Sequence, residues 1–157
     1  MDEKELSVLK AEIDFQVQTI KNVITKIHER QRDYMHDLRL AESLAYQLHN
    51  LYCAFEDLFK IVAQFFENSV EDTSRYHLEL LKRMTLDIAG IRPPLISQEL
   101  GDALDEFRAF RHVFRHAYSY EIDVEKIGLL LKKFVYIQGK YQEDIDHFMT
   151  LLTAVAD

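Results

Sequence analysis

Apolar residues recur every three or four positions along five stretches of the chain, and no stretch shows the two-residue alternation of a half-buried strand. The stretches cover about residues 2–33, 38–68, 75–89, 96–118 and 124–155. The second is the most regular, with apolar side chains at alternating spacings of four and three: Leu44, Leu48, Leu51, Phe55, Leu58, Val62 and Phe65. This spacing is typical of a helix that packs lengthwise against its neighbours. The pattern predicts an all-α protein, an up-and-down bundle of about five helices.

Capping and helix-breaking residues mark the ends of several of these helices. Residues 72–74 (Asp-Thr-Ser) provide an N-cap for the third helix, and Asp123 provides one for the fifth. Gly90, Pro93 and Pro94 are expected to end the third helix, because proline lacks the amide donor and restricts the residue before it. The chain of 157 residues suits one domain, 1–157, and contains no internal repeat or low-complexity linker.

Composition excludes several classes of protein. There is no run of about 18 apolar residues, so no membrane span is expected. The charged start of the chain lacks the apolar core of a signal peptide, and its single cysteine cannot form an internal disulfide, which favours a cytoplasmic protein. A net charge of −8 argues against general adhesion to nucleic acid, and no DNA partner is expected. Any contact with RNA must therefore be local.

Residues 107–118 are the most informative segment of this acidic chain, with three arginines, two histidines and three phenylalanines. At 100° per residue, one arc of a helix here would carry the polar residues, and we call it the basic arc: Arg108, Arg111, His112, Arg115 and His116. The opposite arc would carry the apolar residues: Phe107, Phe110, Phe114, Ala117 and Tyr118. Guanidinium groups bind phosphate, and imidazole groups exchange protons near neutral pH.

The two histidines of the basic arc stand four residues apart, as they do in zinc-binding helices. No glutamate lies between His112 and His116, however, and no third ligand is evident. The sequence also lacks a glycine-rich phosphate loop, a nucleophile elbow and the paired Glu-x-x-His of a di-iron bundle. We therefore expect neither a metal nor another cofactor, and phosphate binding by side chains alone.

The segment from Arg111 to Tyr118 resembles the Arg-x4-His-x-Tyr signature of HEPN-domain ribonucleases, specifically the HepT-like toxins. The likeness extends to residues 44–52 and 76–84, and in all to about residues 5–150. Many members of that family have a polar residue, often asparagine, directly after the motif arginine. This chain has His112 at that position, so the division of labour between its two histidines stays open.

The resemblance implies a HEPN-like fold and a metal-independent ribonuclease toxin encoded beside a minimal nucleotidyltransferase (MNT) antitoxin. It implies a homodimer in which two motifs form one composite cleft for an RNA substrate. Arg111 and His116 would be the catalytic pair, and Arg108, His112 and Arg115 would bind phosphate or RNA. It further implies that the antitoxin adenylylates Tyr118 and thereby silences the toxin.

The chemistry of RNA cleavage agrees with those residue types. The 2′-hydroxyl of RNA is the nucleophile, so the reaction needs a base, an acid for the departing 5′-oxygen, and positive charge around the phosphate. Histidine supplies acid–base catalysis near neutral pH, and arginine grips phosphate oxygens in a fork. His116 is therefore the leading acid–base residue, with Arg111 and Arg115 holding the phosphate.

Each residue of this segment also has a structural interpretation. His116 would then be a half-buried histidine at a helix end. Arg108 and Arg115 would pair with acidic neighbours on a solvated face, and Tyr118 would anchor a helix end with its ring in the core.

Outside this segment we expect His49 and His77 to be structural or rim residues and Cys53 to be an inert core thiol. The alternative function is a non-catalytic helical subunit that binds a nucleotidyltransferase or its nucleotide, with the basic arc as a docking surface. The two functions differ in whether the motif histidine is required.

Overall fold

The computed structural model of the chain describes residues 1–67, 75–119 and 121–156. Within these residues the fold consists of five α-helices and one short 3-10 helix. They are α1 (Glu3–Arg30), α2 (Leu38–Glu67), α3 (Tyr76–Met84), α4 (Gln98–Arg115), the 3-10 helix (Ala117–Ser119) and α5 (Val124–Ala156). The described residues contain no β-strand, and one isolated bridge joins Ile88 to Arg92. The prediction of an all-α bundle of five helices is confirmed.

The central element is α2, which contacts each of the other four α-helices. Most of its apolar stripe is fully buried, as the alternating spacing predicts. The hairpin of α1 and α2 is fixed at its middle, where the Gln16 amide donates a buried hydrogen bond of 2.8 Å to the Ala54 carbonyl. On another side, the Phe55 ring meets the Tyr141 ring of α5 edge-on at 5.7 Å. Because α2 touches every other helix, its side chains can reach any site that those helices form.

An aspartate side chain caps the start of two helices, and the second of these caps was predicted. The first helix begins after Asp2, whose carboxylate accepts a hydrogen bond from the Glu5 amide in a capping box. The fifth begins after Asp123, whose carboxylate accepts from the Glu125 amide at 2.9 Å, so this predicted cap is confirmed. The predicted cap of α3 at residues 72–74 lies outside the described residues; the residue before α3 is Arg75, which makes no side-chain capping bond.

The first and third predicted helices end earlier than their apolar patterns suggest. The first ends at Arg30 instead of about residue 33, and Asp33 has a left-handed φ of 59° that no α-helix accommodates. The third ends at Met84 instead of about residue 89, because the chain then makes a tight turn in which Gly90 has a φ of 76°. Glycine adopts that conformation without the steric penalty of a side chain.

A buried arginine holds this turn against the bundle. The Arg92 side chain is fully buried, and its Nη2 donates to Glu67 Oε1 at 2.8 Å and to the Arg83 carbonyl at 3.0 Å. Arg83 lies 3.4 Å from the other carboxylate oxygen of Glu67. Two cations thus neutralise one nearly buried carboxylate where α2 ends and α3 ends, an arrangement in which the loss of one partner is costly.

No helix in the described part of the chain combines the length and apolar character needed to cross a membrane.

We expect Arg92→Met to lower the free energy of unfolding by about 3 kcal/mol, because it removes one partner of a buried ion pair. The matched control is Arg39→Met: Arg39 also pairs with a carboxylate, that of Asp37 at 3.1 Å, but its side chain is 89% exposed. That control should change the free energy of unfolding by no more than about 0.5 kcal/mol. Urea denaturation of both variants measures the difference, and equal effects would show that the Arg92 network does not hold the turn.

Candidate functional site

An open groove of about 420 Å³ runs along the C-terminal half of α4. Its lining residues come from α3, from α4 and from the residue directly after α4: His77, Arg108, Arg111, His112, Arg115 and His116. The structure thus brings all five residues of the basic arc to one surface, as the helical periodicity predicts. The groove is cationic, although the chain as a whole carries a net charge of −8.

The position of α4 is fixed at its start and along its buried face by different contacts. At its start, the Ser97 hydroxyl caps the helix by accepting from the Leu100 amide, and both the hydroxyl and the amide of Ser97 donate to Asp144 of α5. Further along, Phe107 and Phe110 are buried in the core. Rotation of the helix would expose these rings, so the basic arc is held towards solvent.

The helix ends at Arg115, three residues earlier than predicted. His116 occupies the C-cap position, and its amide donates to the Val113 carbonyl at 3.3 Å. The chain then tightens into the 3-10 helix, where the Ser119 hydroxyl donates to the His116 carbonyl at 2.9 Å. These bonds satisfy carbonyl groups that the end of an α-helix leaves without partners. The His116 side chain nevertheless stays in the groove, with its ring centroid 4.5 Å from that of His112.

The early end of α4 changes the position of Tyr118. We predicted this residue on the apolar arc, and that prediction is wrong: Tyr118 is 87% exposed. A rotation of 100° per residue no longer applies beyond Arg115, and the 3-10 helix turns the Tyr118 ring to 6.3 Å from the His116 ring. The alternative in which Tyr118 anchors a helix end in the core is also wrong, because its ring is in solvent at the edge of the groove.

The arginines of the groove differ in how their charge is balanced. Arg108 donates from Nε to Asp105 at 2.6 Å, which confirms the interpretation that it pairs with an acidic neighbour. Arg115 is exposed and makes no ion pair with any residue that the structure describes. His116 is also exposed, so the interpretation of it as a half-buried structural histidine is wrong. Arg115 and His116 are therefore accessible to an anionic ligand.

Arg111 is held from behind by a chain of hydrogen bonds that we did not predict. Its Nη1 lies 2.6 Å from Nε2 of His77 on α3, and Nδ1 of the same imidazole lies 2.7 Å from Glu56 Oε2 on α2. Glu56 is 5% exposed, and its other oxygen lies 3.7 Å from the Lys60 ammonium. His77 thus lines the groove and has a structural role behind Arg111, which is the first of the two roles that we expected. The signal for it was Glu56, a carboxylate directly after Phe55 of the apolar stripe of α2, because a buried carboxylate requires partners.

His49, Cys53 and Phe114 form a second cluster beside Arg111. The His49 ring stacks on Phe114 with 4.7 Å between ring centroids, and its Nε2 lies 3.6 Å from the Cys53 sulfur. Burial lowers the pKa of His49, and the charges of Arg111 and Arg115 lower it further. Burial raises the pKa of Cys53, so this thiol stays protonated and is a poor nucleophile near neutral pH. The structure therefore supports our interpretation of Cys53 as inert, although it is half-buried rather than fully in the core.

Within the described residues, no group of three or more His, Cys, Asp or Glu side chains is arranged to hold a metal ion. The groove contains two imidazoles and three guanidinium groups along α4, and the imidazole of His77 lies behind Arg111. Such a set can bind a phosphodiester and move protons.

The structure is an all-α bundle in which Arg111 and His116 of the sequence motif line one groove. The chain matches the family model described as HepT-like protein over residues 43–152, and it belongs to that family. The matched range contains every residue that lines the groove. No curated protein matches the chain.

The fold has a counterpart among solved structures. A chain of a crystal structure of a toxin–antitoxin with AMP-PNP superposes with a TM-score of 0.55 and is 22% identical in sequence. The alignment covers 90% of this chain and 97% of the other. A likeness at that identity shows a shared fold.

The arrangement of charges around His49 generates a prediction. In Arg115→Gln the pKa of His49 should rise, because a neighbouring positive charge disfavours the imidazolium and the substitution removes one such charge. Arg115 is exposed, so the fold should be unaffected. Titration of the histidine resonances by NMR measures the shift, with exposed His28 as an internal reference. An unchanged or lower pKa of His49 would contradict the proximity of Arg115.

Proposed function

We propose that this protein is the ribonuclease toxin of a HEPN–MNT toxin–antitoxin system and that it cleaves RNA in the groove of α4 without a metal. The observation that carries the proposal is the meeting of Arg111, Arg115 and His116 in one open cationic groove. Membership of the HepT-like family supports it. So does the solved relative of the fold, which belongs to a toxin–antitoxin with AMP-PNP.

The proposed reaction is an attack of the RNA 2′-hydroxyl on the adjacent phosphorus, with departure of the 5′-oxygen. His116 is the acid–base residue, which takes the proton of the 2′-hydroxyl or donates one to the departing 5′-oxygen, since its imidazole is exposed and its side chain makes no hydrogen bond within the described residues. Arg111 and Arg115 bind the phosphate oxygens, and their positive charge stabilises the additional negative charge of the transition state. Arg108 shares its charge with Asp105, so its part is the binding of flanking phosphates.

The proposed active form is a homodimer in which two α4 helices bring their grooves together. One chain supplies a single Arg111 and a single His116, and a second copy of the groove supplies the same pair again, so that the acid and the base come from equivalent imidazoles. A two-fold axis presents the same patch twice, and two grooves then form one cleft with two imidazole–guanidinium pairs. The openness of the groove along α4 is consistent with a partner covering it.

We further propose that an MNT nucleotidyltransferase partner silences the toxin by transferring AMP to Tyr118. Support comes from the exposure of this side chain and from the 6.3 Å between its ring and that of His116. A nucleotide attached there would place its phosphodiester beside Arg115 and its base over the groove. The added negative charge would compete with RNA phosphates for the arginines.

The cleavage proposal predicts that His116→Ala loses at least about 100-fold in the rate of RNA cleavage, the usual contribution of an acid–base residue. Arg111→Ala should be similarly inactive, and Arg115→Ala should lose less, since one of two phosphate-binding groups remains. The assay is cleavage of total RNA by purified protein in EDTA, with unfolding temperatures measured in parallel.

The matched control for that series is His147→Ala. His147 is also an exposed histidine, but it lies on α5, three residues after Asp144. Asp144 contacts the start of α4. The start of this helix lies about 27 Å from its end, where His116 lies. Its loss should leave cleavage unchanged. If His116→Ala cleaves RNA at the wild-type rate, the ribonuclease proposal fails and a docking surface for a nucleotidyltransferase becomes the better account. Activity that EDTA abolishes and zinc restores would assign His112 and His116 to a metal instead.

The modification proposal predicts that co-expression with the cognate nucleotidyltransferase adds AMP to Tyr118 and stops cleavage. Tyr118→Phe should keep its activity and escape silencing, because it lacks the acceptor oxygen. Tyr120→Phe is the control; Tyr120 lies outside the described residues. Intact-mass and peptide analysis locate the added groups. Modification confined to Tyr120, or silencing of Tyr118→Phe, would favour inhibition by simple binding of the partner.

A further inference from the structure

His77 is the one lining residue of the groove that belongs to α3, and both of its ring nitrogens are engaged. Nε2 lies 2.6 Å from Arg111 Nη1, and Nδ1 lies 2.7 Å from Glu56 Oε2. A guanidinium group only donates hydrogen bonds, so Nε2 must be the acceptor and carries no proton. The remaining proton of a neutral imidazole is then on Nδ1, where it is donated to the Glu56 carboxylate. The contacts therefore define both the charge state and the tautomer of His77.

The carboxylate that orients His77 is itself firmly placed. Glu56 lies on α2 with its side chain 7% exposed, and its second oxygen lies 3.7 Å from the Lys60 ammonium. Three helices thus contribute one residue each to a continuous chain of two hydrogen bonds: Glu56 from α2, His77 from α3 and Arg111 from α4. A carboxylate behind an imidazole fixes the ring orientation and makes the opposite nitrogen a stronger acceptor.

This chain of hydrogen bonds orients the side chain of Arg111. The bond of 2.6 Å to His77 fixes Nη1 of its guanidinium group, which also interacts with the Cys53 side chain, while its buried Nε has no hydrogen-bond partner among the described residues. An arginine side chain rotates about several bonds, so without the His77 acceptor its terminal group would sample other positions. The His77 acceptor fixes one N–H donor of Nη1 and thereby the plane of the guanidinium group. Arg111 still lines the groove. This is preorganisation of a phosphate-binding group.

From these contacts we infer that His77 is a positioning residue: as a neutral Nδ1–H imidazole oriented by Glu56, it aims the Arg111 guanidinium at the phosphate in the groove. It is not an acid–base residue, because neither ring nitrogen is available to substrate. Its effect on cleavage rests on the proposed function, whereas its tautomer and its bond to Arg111 do not.

The tautomer is tested on the wild-type protein without RNA. Long-range ¹H–¹⁵N correlation spectra of the ¹⁵N-histidine protein at mildly alkaline pH distinguish the two neutral tautomers, and His77→Gln assigns the signals of His77. We expect the Nδ1–H form, and Arg111→Gln should shift the Nε2 resonance of His77. An Nε2–H tautomer, or an Nε2 chemical shift that is the same in Arg111→Gln as in the wild type, would overturn the inference whether or not the protein cleaves RNA.

The kinetic test compares two substitutions that differ in one acceptor atom. In His77→Gln the side-chain oxygen replaces Nε2 as the acceptor for Arg111, whereas His77→Phe keeps a ring of similar size and has no acceptor. We expect His77→Phe to lose about 10- to 100-fold in kcat/KM, the scale of a misplaced catalytic group, and His77→Gln to keep most of its activity. Unfolding temperatures of both variants show whether the fold is retained.

Two outcomes of that comparison contradict the inference. If His77→Phe retains full activity, Arg111 does not need the acceptor. If His77→Gln and His77→Phe fold but are equally impaired, the role of His77 is not that of an acceptor. A wild-type protein that does not cleave RNA would refute the proposed function, and the tautomer measurement would still decide the bond between His77 and Arg111.

Discussion

Burial of the apolar face of α4 is the constraint on which the candidate site depends. Phe107 and Phe110 are almost completely buried, and a phenylalanine side chain removed from water contributes about 1.5–3 kcal/mol. Turning α4 about its axis would expose both rings. The helix therefore has one stable orientation, in which Arg111, Arg115 and His116 face the groove. The packing of the core and the composition of the cationic surface are thus two consequences of the same amphipathic segment.

The central helix α2 also helps to position the side chains of the candidate site. Since α2 packs against all the other α-helices, a buried polar residue next to its apolar stripe can lie behind the groove instead of in solvent. Glu56 is such a residue and connects through His77 to Arg111, while His49 lies close enough to Arg111 for the two charges to be coupled. The orientation of Arg111 is consequently set by two neighbouring helices as well as by α4.

Local periodicity was sufficient to predict the helices and the basic arc, because the interactions that place Arg108 to His116 on one face occur within about two turns of chain. It could not predict the end of α4, where Ser119 and the 3-10 helix compete with continued α-helix, and it therefore misplaced Tyr118. Nor could it pair Glu56 with His77 and His77 with Arg111, which are 21 and 34 residues apart. Contacts of that range depend on how helices pack, which no local pattern encodes.

The central claim is that the groove cleaves RNA through its 2′-hydroxyl without a metal, and the chemistry of the product ends tests it most directly. Purified protein would be incubated in EDTA with an RNA oligonucleotide of known sequence, and mass spectrometry would identify the termini. The account predicts fragments with a 2′,3′-cyclic phosphate and a 5′-hydroxyl. Fragments with a 3′-hydroxyl and a 5′-phosphate, or intact RNA at every protein concentration, would contradict it.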